Sequence, residues 1–182
     1  MSSAQRFFAR DYDALADGER FTTRARTITE ADVVSFAALT GDFHPVHTDA
    51  VWAEQSPFGG RIAHGMLVLS YAVGLVPLDP ERVVALRRIG DAVFKQPARF
   101  GDTIHVEGEV SKRSEVDAQV GLVECRWKVL NQDRKTVVRV TVEVLWRRGE
   151  LGAGDEARSS GELGAGDGDR SSGELGEAAA AR

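Results

Sequence analysis

Two short motifs in this chain carry residue types that move protons and hold negative charge. The first is Gly41-Asp42-Phe43-His44-Pro45-Val46-His47-Thr48-Asp49, where Asp42 and His47 stand five positions apart. The second is Ile62-Ala63-His64-Gly65, which opens the uncharged run Met66 to Val76. A carboxylate and an imidazole on one loop can share a water as acid and base, with pKa values set by burial and by each other. A helix beginning at Gly65 presents N–H groups that lack intrahelical partners, together with about half a positive charge, which suits a developing oxyanion. Having no Cβ, Gly65 also lets a ligand come close to the backbone.

The flanking pattern says which elements hold these residues. Arg20 to Ile28 alternates and is rich in β-branched residues, which predicts a strand. Thr29 and Asp32 have capping-box spacing, and Val33, Val34, Phe36, Ala37 and Leu39 follow at helical spacing, so a short helix ends near Gly41. Pro45 stiffens the loop Asp42 to Asp49. Asp49 to Glu54 reads as a turn or short helix, broken by Pro57-Phe58-Gly59-Gly60. The apolar helix beyond Gly65 needs burial on most sides. After it, Val83 to Phe94, Thr103 to Ser114, Ala118 to Leu130 and Thr136 to Trp146 read as strands. One helix followed by consecutive strands predicts an antiparallel sheet wrapped on a helix, in the α+β class. Phe7, Phe8 and Tyr12 are candidate anchors for an N-terminal arm of unassigned role.

A chain of 182 residues with 42% hydrophobic content fits one ordinary domain, here 1–148. The remainder, 149–182, repeats GELGAGDEARSS as GELGAGDGDRSS with single leucines and many glycines, and reads as a disordered acidic tail. Eight of the 28 acids and three of the 23 bases fall there, so the body's 20 and 20 balance and nothing favours nucleic acid. The apolar run is too short to span a membrane. A lone cysteine, Cys125, in a strand pattern fits a reducing compartment, and with no N-terminal apolar leader the expected location is cytoplasmic.

GDFHPVHTD followed by FGGRIAHGMLVLS resembles the MaoC-like (R)-specific enoyl-CoA hydratase and dehydratase family, closely over Ile28 to Pro77 and more loosely through Trp146. The resemblance implies a hotdog fold and a hydro-lyase that interconverts trans-2-enoyl and (R)-3-hydroxyacyl thioesters on coenzyme A or acyl carrier protein. It implies that Asp42 and His47 are catalytic and that Gly65 polarises the thioester carbonyl. It further implies a homodimer with the substrate tunnel at the interface, and no cofactor or metal. His44 stands where the family commonly has asparagine, which puts the hydrogen bonding of that loop in question. His44, His64 and Ser70 are the candidate substrate contacts.

Other readings stand beside these. Gly-Asp is ordinary turn chemistry and a loop histidine is often merely satisfied. His64 either lines the site or packs, and Ser70 and Tyr71 either reach it or lie along the helix. Asp42, His44, His47 and Asp49 cluster within eight residues as a metal set would, although H-x-x-H across Pro45 matches no common zinc spacing. Arg61, Arg87, Arg88, Lys95 and Arg99 are candidates for a carrier's phosphates, and His105 reads as structural. Thioester hydrolysis and a non-catalytic partner subunit are the competing functions.

Overall fold

The computed structural model describes residues Met1–Gly149; apart from Gly149, the acidic repeat read as a disordered tail lies outside the described residues. An arm with α1 (Ser3–Phe8), β1 (Arg20–Thr22) and β2 (Arg26–Thr27) is followed by α2 (Glu30–Thr40), α3 (Pro45–Thr48), α4 (Ala50–Glu54) and α5 (Gly65–Leu75). The strands β3 (Val83–Phe94), β4 (Thr103–Glu115), β5 (Val120–Leu130) and β6 (Thr136–Arg147) complete the chain. They form an antiparallel sheet in the order β1-β4-β5-β6-β3, with β2 also on β4. Alternation decides the layers. Ile104, Val106 and Val110 on β4, Val123, Cys125, Trp127 and Val129 on β5, and Val138, Val140, Val142 and Val144 on β6 are buried in one core with α5. None of the described helices is long and apolar enough to cross a membrane.

Two expectations are corrected by the structure. The strand predicted over Arg20 to Ile28 is two pieces, because Thr23 meets Val106 with both main chain and side chain. Its N–H donates to the Val106 carbonyl at 3.0 Å, and its Oγ1 accepts from the Val106 N–H at 3.0 Å. The loop after Asp42 contains a helical turn, α3, with Pro45 at its first position, where a missing N–H costs nothing. The apolar helix α5 is covered on most sides, as expected: Leu67, Val68, Leu69, Ala72 and Leu75 are buried and Gly65, Tyr71 and Val73 half-buried, while Met66, Ser70 and Gly74 form one narrow exposed stripe at every fourth residue.

The arm is part of the core. Phe7 and Phe8 lie against Phe21 and Trp146, with Phe8 stacked on the Trp146 ring at 5.1 Å between centroids. The Trp146 indole N–H donates to the Arg10 carbonyl at 2.7 Å, so the last strand is tied to the chain just after the first helix. Opposite Phe21 the sheet carries Gly108, where a Cβ would stand 2.2 Å from the ring.

One carboxylate fastens the helix that leads to the site. Asp32 accepts from the Thr29 N–H at 2.8 Å and Thr29 Oγ1 accepts from the Asp32 N–H at 3.2 Å, closing the capping box. Arg26 donates to Asp32 at 3.0 Å and to the Tyr71 hydroxyl of α5 at 3.0 Å. Burial raises the Asp32 carboxyl, but hydrogen bonds from Tyr71 and Thr29 and the Arg26 charge outweigh it and hold it at about 2. Burial and then Asp32 push the Tyr71 hydroxyl up to about 12.

The folded-state pKa of Asp32 lies below its ordinary 3.8, so its contribution to stability is complete above that value and is lost as pH falls through about 2. Asp32→Ala is expected to lower the unfolding free energy by about 1–2 kcal/mol at pH 7, from the lost cap and ion pair. The gap from the parent should narrow between pH 4 and pH 2.5. Urea unfolding at the three pH values checks this, and a gap constant with pH contradicts it.

Candidate active site

The site forms where the end of α2, the turn α3 and the start of α5 meet. Gly41 ends α2 in the left-handed conformation at φ 77°, which a glycine adopts without strain, and turns the chain into Asp42. The Asp42 Oδ1 accepts the His44 N–H at 3.2 Å, so half of its carboxylate makes the local turn contact that Gly-Asp predicts. In α3, the His47 Nδ1–H donates to the Ile62 carbonyl at 2.8 Å, which leaves Nε2 with its lone pair. Ile62 is itself held by its N–H on the Val46 carbonyl at 3.1 Å and by a bridge to Arg99.

His64 is 2% exposed and stands one residue before α5. Its Nε2–H donates to the Asp42 main-chain carbonyl at 3.0 Å, and its ring stacks on that of His47 with centroids 3.8 Å apart and 28° between planes. Nδ1 of His64 is buried without a partner among the described residues. No side chain caps α5, so the first-turn N–H groups at Gly65 remain open. Phe94 packs directly on that glycine: a Cβ at position 65 would stand 2.7 Å from its ring.

Asp42, His47, His64 and Gly65 all line one cavity of about 420 Å³. The rest of its wall is mostly apolar, with Phe58, Ile62, Met66, Val68, Phe94 and Val137, and Lys95 and Gln96 join them. Polar atoms of Asp42, His47 and His64 lie within 4.8 Å of one another. Desolvation lowers the His47 pKa below its ordinary 6.5; the Ile62 hydrogen bond and Asp42 oppose this, while the His64 and His44 rings add to it.

Two candidate substrate contacts lie elsewhere. His44 is exposed and caps α3, its Nδ1 accepting from the Val46 N–H at 3.2 Å. An asparagine side chain could serve the same purpose, so the departure from the family's common residue leaves the turn capped. Ser70 is on the exposed stripe of α5 and donates to the Met66 carbonyl four residues back at 2.8 Å. Asp49 caps α4 through the Trp52 N–H at 2.9 Å, so the sequence cluster Asp42, His44, His47 and Asp49 does not converge.

Among the cationic candidates, Arg61 pairs with Glu30, Arg87 and Arg88 pair with Glu143, and Arg99 donates to the Phe58 carbonyl. Lys95 alone of these lines the cavity, and no ion-pair partner for it occurs among the described residues. His105, in β4, faces Glu107 at 3.7 Å and takes no part in the site. In the sequence Phe94 and Phe58 read only as a strand end and part of a helix break, not as site residues. Phe94 reaches Gly65 from a strand 29 positions on, and no local pattern signals that.

A family model for the MaoC like domain matches residues 14–133, and the chain belongs to that family; its fold is the hotdog. It is 36% identical over 90 residues to a 3-hydroxybutyryl-CoA dehydratase of Methylorubrum extorquens, covering 48% of this chain and 55% of that protein. Against a mitochondrial 3-hydroxyacyl-[acyl-carrier-protein] dehydratase of Solanum lycopersicum it is 30% identical over 134 residues, 74% of this chain and 70% of that one. The structure of an R-hydratase from Pseudomonas aeruginosa superposes with a TM-score of 0.63 at 32% identity, covering 78% of this chain and 88% of that chain. For four bacterial relatives the chain spans 30% to 60% of their length.

The electrostatics of the stacked rings give a direct test. His47 is expected to titrate below 6.5 by imidazole NMR, remaining neutral through pH 7. A midpoint at or above 6.5 contradicts the desolvated placement.

Proposed function

We propose that the protein is a hydro-lyase that reversibly adds water to trans-2-enoyl thioesters, giving (R)-3-hydroxyacyl thioesters. The observation that carries this reading is the meeting of Asp42, His47 and the uncapped start of α5 at one apolar cavity. The names of the dehydratase and hydratase relatives support the same chemistry.

In this mechanism the Asp42 carboxylate and His47 Nε2 hold one water. As its oxygen bonds to the β-carbon, the pair takes its proton, and the α-carbon receives a proton from the pair, so their proton count is unchanged over the cycle. Electrons displaced from the double bond pass to the thioester oxygen, which the Gly65 N–H and the helix dipole stabilise. A neutral His47 at pH 7 is the form that can accept, which is the direction its desolvation favours. Phe58, Phe94 and Met66 receive the acyl chain, and Lys95 at the wall is the candidate for a carrier phosphate, whether on coenzyme A or an acyl carrier protein.

The reaction as drawn needs no metal or cofactor. The stacked rings support this: lone pairs of imidazole nitrogens lie in the ring planes, and an ion in the plane of one of two nearly parallel rings lies off the plane of the other.

A homodimer fits the rest of the surface. Strand β3 is an edge twelve residues long, bearing Val84, Ile89 and Phe94, each at least 40% exposed, and the α5 stripe exposes Met66. A free edge of that length with exposed apolar side chains favours pairing with a second copy. A reducing, cytoplasmic setting suits the buried free thiol of Cys125, which burial pushes up to about 12.

Crotonyl-coenzyme A and longer enoyl analogues test the proposal through loss of the conjugated thioester absorbance. Asp42→Asn and His47→Ala should each lower turnover by about 100-fold or more with the fold intact. Gly65→Ala should also lose activity, since its methyl group meets Phe94 and narrows the approach to the oxyanion donor. Release of free coenzyme A in place of hydration would make the protein a hydrolase. Turnover only on carrier-protein thioesters would fix the carrier, and silence on both overturns the proposal.

A further inference from the structure

We propose that His64 is a positioning residue for the proton-transfer pair: it holds Asp42 by a hydrogen bond and His47 by its ring face. This rests on the hydro-lyase reading for the reaction, while the arrangement itself can be measured without turnover.

Asp42 follows the glycine that ends α2, and local contacts hold it weakly. Its N–H reaches Thr40 Oγ1 at 3.3 Å, and its carboxylate takes the His44 N–H at 3.2 Å. Its main-chain carbonyl is fixed from across the site by the His64 Nε2–H at 3.0 Å, a bond that spans 22 positions of sequence. The same imidazole lies face to face with His47 at 3.8 Å. Nδ1 of His47 is already engaged with Ile62, so the stack limits ring tilt while that hydrogen bond limits ring rotation. His64 is also chain neighbour to Gly65, so one residue touches each of the three elements the reaction uses.

Packing alone does not account for a histidine here. The Nε2–H must face a carbonyl, so in the neutral ring Nδ1 is an acceptor, and it is buried with no donor among the described residues. An apolar side chain of the same volume would fill this space without burying a polar nitrogen. What such a residue would lose is the tether to Asp42.

Two variants separate tethering from packing. In His64→Gln the side-chain amide N–H reaches as far as Nε2, and in His64→Met the volume is kept without a donor. With enoyl thioester substrates, the methionine variant should lose about 100-fold in kcat with KM within about threefold of the parent, the size of effect a misplaced catalytic group gives. The glutamine variant should recover about tenfold of that loss. Thermal unfolding should show both folded.

Imidazole NMR supplies the readout that needs no substrate. The groups facing His47 are Asp42 and His44 from the α2–α3 turn and His64 from the start of α5. Removing the stacked ring takes away an influence that disfavours protonation, so the His47 midpoint should rise in both variants, and the acidic limb of kcat/KM should move to higher pH with it. Glutamine no better than methionine, or a His47 midpoint unmoved in both variants, overturns the proposal. If the parent turns over no thioester, the hydro-lyase reading fails, while the NMR titration still decides the role of His64.

Discussion

The site depends on a helix that is buried on most sides and left uncapped at its start. Leu67, Val68, Leu69, Ala72 and Leu75 hold α5 against the sheet, which fixes where its first turn points. That turn has donors that only a ligand or water can satisfy, because His64, at the cap position, turns its side chain to Asp42 instead. A serine or aspartate there would cap the helix and close the oxyanion position. The local loss of a cap is therefore the condition for the proposed chemistry, and the core supplies the stability that permits it.

The two stacked imidazoles of the site are aligned through main-chain carbonyls. Ile62 sets the tautomer of His47, and Asp42 sets that of His64. Each carbonyl is presented by a segment tied elsewhere, the first by the Val46 and Arg99 contacts and the second by the end of α2, a helix whose first turn Asp32 and Arg26 fasten to Tyr71 of α5. Displacing α2 from α5 would thus move Asp42 relative to Gly65. Stability and site geometry share the same hydrogen bonds on this side of the molecule.

That Asp42, His47 and Gly65 line one cavity could be anticipated from the sequence because their pattern is local: a carboxylate and an imidazole on one loop, and a glycine opening an apolar run. Strand β3 was read to its ends, Val83 and Phe94, and β4, β5 and β6 to within two residues. What escaped was non-local. Ser70 has the right spacing to follow the motif, but its side depends on which face of α5 the sheet covers. His44 has the right chemistry for a ligand contact, yet its nitrogen is engaged by the N–H two residues on. The break at Thr23 needs Val106, 83 positions away, to replace a ladder contact by a side-chain one. The place of the N-terminal arm needs Phe21 and Trp146 to be neighbours.

Phe94 shows how backbone irregularity is used at such a distance. Strand β3 shifts register against β6 between Gly90 and Val93, and Asp91 within that shift has φ 49°, a left-handed conformation that costs a non-glycine residue roughly 1 kcal/mol. A regular strand would avoid that cost and would continue the alternation set by Ile89. The extra residue instead re-aims the end of the strand, so that Phe94 lies over Gly65 while remaining 49% exposed. The glycine is thus required twice, once to give a ligand access to the helix start and once to admit the ring. An edge strand with an irregular end and an apolar tip could not be stable as an isolated feature. Here it gains from contact with α5, and the same irregular end shapes the wall of the cavity.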